Sequence, residues 1–171
     1  MMLAIPIAVL AAGCLMPPPV QEVSAPQNQP PRILKDSLSP FPAKGPYHLN
    51  TYCERYTYNA PVTDPDPDDR LYWRVFLDYA TDSRPGDAVG GDTAPKGDTV
   101  QLSFSVSPTD ARFGGRLLDP HLIELFVSDR PFYTDSRDPL GRAVPEDALT
   151  DSAIWTVLLE QGQEQSPCEP Q

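Results

Sequence analysis

Thr99 to Ser107 reads TVQLSFSVS, and its alternation constrains the fold more than any other stretch. Successive side chains of an extended chain point to opposite faces, so Val100, Leu102, Phe104 and Val106 share one side and Gln101, Ser103, Ser105 and Ser107 the other. One face is suited to burial and the other to water, which predicts an antiparallel strand half in a core. The same period recurs in RLYWRVFLDY, Arg70 to Tyr79, where Leu71, Trp73, Val75, Leu77 and Tyr79 oppose Tyr72, Arg74, Phe76 and Asp78. Trp73 is the expected centre of the core. Further strands are expected over Tyr47 to Tyr58, His121 to Ser128 and Ala153 to Gln161, with a weaker one over Arg32 to Ser37.

Proline then rules out the main alternative. The chain holds 22 prolines in 171 residues, well above a usual share of about 5%, and each removes a donor and clashes with the preceding turn of a helix. The breakers NAPVTDPDPDD, DSRPGDAVGGDTAPKGD, SPTDARFGG and SDRPFYTDSRDPLGRAVPEDALTD separate the alternating runs. AVGGD, Ala88 to Asp92, reads as a flexible loop rather than a nucleotide site, and Pro145 to Leu149 as one helical turn. Short strands with almost no helical period predict an all-β fold, an antiparallel two-sheet sandwich of about seven strands. The length suits one such domain with a tail.

From Pro31 to Gln161 the order of features, above all an acidic turn running into a Trp-containing strand in DPDPDDRLYWRVFLDY, resembles immunoglobulin-like or fibronectin type III-like modules of bacteria. The resemblance implies a sandwich of that topology. Antibody-type domains bridge two cysteines across the sheets around such a tryptophan, but here the second cysteine, Cys168, lies beyond the last expected strand, so that bridge does not transfer.

The first residues carry a different signal. Leu3 to Gly13 is apolar and ends in small side chains, as a secretory signal peptide does, and is too short to span a bilayer. Leu10-Ala11-Ala12-Gly13-Cys14 resembles the lipobox of bacterial lipoproteins, which implies cleavage before Cys14 and acylation of its thiol and new amino terminus. The chain departs from that pattern by carrying Ala11 where Leu, Val or Ile is usual and no Lys or Arg near Met1; a start codon placed too far downstream would account for the second departure. A polar stretch punctuated by Pro17, Pro18, Pro19, Pro26, Pro30 and Pro31 follows, with no apolar period. Such a segment extends by ~3.1 Å per residue and serves as a spacer of roughly 50 Å. The expected division is signal peptide 1–13, lipidated Cys14 and tether 14–30, and sandwich domain 31–171. Leu15 differs from the aspartate that retains many lipoproteins in the inner membrane, so the resemblance implies the outer membrane of a bacterial envelope.

Three cysteines leave one odd thiol in an exported protein, and with Cys14 acylated the other two, Cys53 and Cys168, are free to pair. Four carboxylates, Asp64, Asp66, Asp68 and Asp69, stand within six residues, and hard oxygens at alternate positions suit calcium. They do not make an EF-hand: Asp69 replaces the required glycine, Val75 the bidentate glutamate, and Pro65 and Pro67 stiffen the backbone. A solvated turn is the plainer reading of the same residues. His121 and Glu124, three apart on a strand, point to opposite faces and cannot form a zinc pair. Tyr52, Tyr56 and Tyr58 share one strand face in this reading, as a binding surface or as packing against the other sheet.

With 13 basic against 24 acidic residues the net charge is −11, which excludes nucleic acid as a partner. No nucleophile elbow, zinc helix, phosphate loop or Cys-x-x-Cys pair occurs. The expectation is a membrane-anchored, non-catalytic binding or structural module that meets an envelope protein or polysaccharide. The alternatives are a calcium-dependent adhesion module and a hydrolase whose site is scattered over loops.

Overall fold

The computed structural model describes residues 28–66, 69–78, 87–93, 99–134, 141–162 and 168. Among the described residues the regular elements are eight strands and three short 3₁₀ turns. The strands are β1 (Arg32–Ile33), β2 (Tyr47–Asn50), β3 (Tyr56–Thr63), β4 (Leu71–Leu77), β5 (Asp87–Thr93), β6 (Val100–Val106), β7 (Pro120–Ser128) and β8 (Thr150–Glu160). They form two sheets, β1-β3-β6 and β2-β8-β7-β4-β5. The fold is all-β, as the alternation predicts.

The core lies between the sheets and takes the inward residues of each. β3 contributes Tyr56, Tyr58, Ala60 and Val62, β6 contributes Leu102, Phe104 and Val106, and β7 contributes Ile123, Leu125 and Val127. Trp155 of β8 is its centre: it is fully buried, meets the rings of Tyr58 and Phe104 edge-on, and donates its indole N–H to the carbonyl of Pro40 at 2.7 Å. Contact between rings of opposite sheets is what binds the two layers. Trp73, expected in that role, is only partly buried and packs at the margin of the core.

Five further expectations need correction. Tyr47 to Tyr58 is not one strand. The chain turns at residues 51–55, and β2 and β3 belong to different sheets; Thr51 N–H bonds Glu160 O and Cys53 N–H bonds Asn50 O, so the backbone is spent on a turn. The pairing is not wholly antiparallel either, since β2 runs parallel to β8.

AVGGD is strand rather than loop, for β5 pairs with β4 from Leu71↔Thr93 to Phe76↔Asp87. Its glycines serve close approach, because a Cβ at Gly90 would stand 2.9 Å from the carbonyl oxygen of Trp73 and one at Gly91 3.3 Å from the indole. Finally, the expected strand over Arg32 to Ser37 ends at Ile33, and Pro145 to Leu149 forms a turn closed by Ala148 N–H on Pro145 O rather than a helical one.

Candidate functional site

The acidic residues Asp64, Asp66 and Asp69 lie in the β3–β4 connection; Asp68 lies outside the described residues. β4 pairs with β7 so that Tyr72 faces Ser128, which carries the end of this connection to Asp129 and Arg130 just beyond β7. The same end of the sheet receives the N-terminal segment. Asn28 Nδ2 donates to Asp129 Oδ2 at 2.6 Å, and Gln29 N–H donates to Asp66 Oδ2.

Asp129, 2% exposed, is fully engaged, its other oxygen accepting Leu149 N–H at 2.8 Å. Asp64, 6% exposed, accepts the Asp66 N–H on Oδ1 at 2.9 Å. Its Oδ2 and the Oδ2 of Asp69 are buried with no hydrogen-bond partner among the described residues. Burial raises the Asp64 carboxyl above the usual carboxylate range; the Asp66 N–H opposes this, and the charges of Asp69, Asp66 and Asp129 add to it. Arg130, 3.5 Å from Asp69 Oδ1, is the cation set against these acids. Among the described residues no group of three or more His, Cys, Asp or Glu side chains stands ready-made for a metal.

Asp129 and Arg130 are the members of this site that sequence reasoning missed. The signal was a charged pair directly after a strand, but only strand pairing brings it to a loop more than fifty residues away in the chain.

The expected tyrosine face is not one surface. Tyr56 and Tyr58 are 1% and 0% exposed and point into the core, whereas Tyr52, 58% exposed, sits in the turn before β3. The turn breaks the strand, so period two does not carry from Tyr52 to Tyr56. Tyr52 shares its end of the sheet with exposed Leu117 and Leu118: Thr51 N–H reaches Glu160 O and Leu118 N–H reaches Leu159 O, on either side of the end of β8. A disulfide joins Cys53 and Cys168 at this same end, with 5.6 Å between Cα atoms. Cys14 lies outside the described residues.

His121 and Glu124 do face opposite ways. His121 is completely buried, with Nδ1 2.6 Å from Asp78 Oδ2, Nε2 2.7 Å from the carbonyl oxygen of Arg116, and its ring edge-on to Phe113. Asp78 also accepts Leu122 N–H at 2.8 Å and pairs with Arg116. This network pins the 3₁₀ turn Ala111–Phe113 and the residues after it to the start of β7, a structural use of polar groups. On the outer face, Glu124 is held by both terminal nitrogens of Arg142, whose guanidinium lies 4.6 Å from the Phe126 ring centre.

No family model and no curated protein matches the chain.

Proposed function

We propose that this protein is an exported lipoprotein of a bacterial envelope, held by acyl chains on Cys14, whose sandwich domain works as a non-catalytic binding or structural module. The observation that carries the reading is the pairing of Cys53 with Cys168, which leaves Cys14, at the end of a signal-like segment, as the odd thiol of three. A disulfide suits an oxidising compartment.

The immunoglobulin-like topology is part of the same proposal. It is supported by the order β1-β3-β6 in one sheet and β8-β7-β4-β5 in the other, with β2 added on β8 as an extra edge. The ends of the sandwich also fit a tethered module. Residues 28 and 29 meet the acidic end, while Tyr52, Leu117 and Leu118 are exposed at the other, about 30 Å away along β7 at ~3.4 Å per residue.

Expression of the full chain in a bacterium fed labelled palmitate, followed by mass spectrometry of the mature amino terminus, tests the anchor. Label on Cys14, absent from Cys14→Ser, is expected; a processed but unacylated start overturns it. For binding, capture from solubilised envelope with the wild-type chain should return a partner that is lost with Leu117→Asp and Leu118→Asp. Identical recovery from both would reject this end as the binding surface.

A further inference from the structure

We infer that Asp64 and Asp69 are two ligands of a calcium site at the acidic end of the sandwich, with water completing its shell. Two buried oxygens, Asp64 Oδ2 and Asp69 Oδ2, have no hydrogen-bond partner among the described residues, though every other oxygen of Asp64 and Asp129 is in use. Leaving a buried carboxylate oxygen without a partner costs more than leaving a neutral group so. A protein that keeps two such oxygens in one loop has a missing partner, and the chemistry of the donors says what it is. All are hard, anionic oxygens, which suit calcium, an ion that takes carboxylates, carbonyls and water in an irregular shell.

Charge points the same way. Asp64, Asp66, Asp69 and Asp129 lie together at this end of the sheet, and the Arg130 guanidinium, 3.5 Å from Asp69, is shared with Asp147 at 3.8 Å. A divalent ion relieves the excess. Asp66 and Asp129 also hold Gln29 and Asn28, so the ion would sit where the N-terminal segment joins the domain. Two protein carboxylates make a weak site, with a dissociation constant on the order of 10⁻⁴–10⁻³ M, in the range of extracellular modules.

The competing explanation is a proton on Asp64 in place of the ion, and the experiment separates them. The full chain is titrated with calcium chloride by isothermal calorimetry at neutral pH, and its Tm is measured in millimolar calcium, in chelator, and in sodium chloride of equal ionic strength. One calcium per chain and a Tm several degrees higher than in sodium are expected. Asp64→Asn and Asp69→Asn should each weaken binding by an order of magnitude or more and abolish the Tm response, while Asp36→Asn, at an exposed acid elsewhere, leaves both intact. Asp64→Asn keeps the oxygen that accepts the Asp66 N–H, so this variant folds. Equal Tm values in calcium and sodium, or a calcium response that survives in both loop variants, would overturn the assignment.

Discussion

Tyr56 and Tyr58 stand two residues apart on β3, both buried, and their hydroxyls are treated in opposite ways. The Tyr56 oxygen accepts Asn50 N–H at 2.7 Å, closing the turn between β2 and β3. The Tyr58 oxygen is buried without a hydrogen-bond partner among the described residues, and desolvation pushes this phenol far above its ordinary range. Tyr56→Phe should therefore destabilise the domain by about 1–3 kcal/mol, because a buried N–H is orphaned, and Tyr58→Phe should be neutral or stabilise it by up to about 1 kcal/mol. Urea unfolding of the two variants checks the contrast.

The aspartates carry opposite pH signs. Side-chain hydrogen bonds from Arg112 hold Asp110 below the usual carboxylate range, so its contribution is present above about pH 4 and is lost as pH falls through its folded value. Asp64 is raised, so its charge is a penalty at neutral pH that disappears as pH falls through its folded value toward that of the unfolded chain. In chelator, Asp64→Asn should stabilise the protein at pH 7 and show less gain on mild acidification than wild type. Asp110→Ala should cost about 1 kcal/mol at pH 7, since Asp110 also caps the Ala111–Phe113 turn, and progressively less in acid. Thermal unfolding across pH measures both.

Among the elements, the β7–β8 connection does more than link two strands. Phe76 is completely buried yet lies outside the core between the sheets. The connection seals it: Phe132 packs 5.9 Å from Phe126 with Arg74 4.4 Å over its ring, and Arg142 stands over Phe126 and 5.8 Å from Phe76 while holding Glu124. Arg142→Ala removes this lid and strands Glu124, 8% exposed, without its cation. A loss of about 2 kcal/mol is expected, consistent with hydrogen bonds to charged groups, with Arg142→Lys restoring only part because lysine cannot form the two-pronged contact. Denaturant titration with Glu124→Gln as the second arm tests it. β5 illustrates the converse, for its two adjacent glycines read as a loop in isolation and become strand only because β4 and the Trp73 indole are there to be approached.

For the molecule as a whole, the Cys53–Cys168 bond closes a span of 115 residues and ties residue 168, beyond β8, to the turn before β3. In the chain-entropy view such a closure is worth up to about 5 kcal/mol, with measured values often lower. Reduction, or Cys53→Ser with Cys168→Ser, should lower the urea midpoint without changing the far-ultraviolet signature of strands.

The long alternating runs were legible from the residues alone: β6, β7 and β8 fall within a few residues of where TVQLSFSVS, HLIELFVS and AIWTVLLEQ put them, because burying one face of a strand leaves a period of two whatever the partner. The acidic loop was legible as composition. Long-range pairing supplied the rest. Which tryptophan sits at the centre, whether Tyr52 shares a face with Tyr56, and whether Gly90 bends or packs depend on what lies opposite in space, and a local pattern holds no information about a neighbour distant in the chain. The convergence of Asp64 and Asp69 with Asp129 and Arg130 arises the same way, from the register that sets Tyr72 beside Ser128.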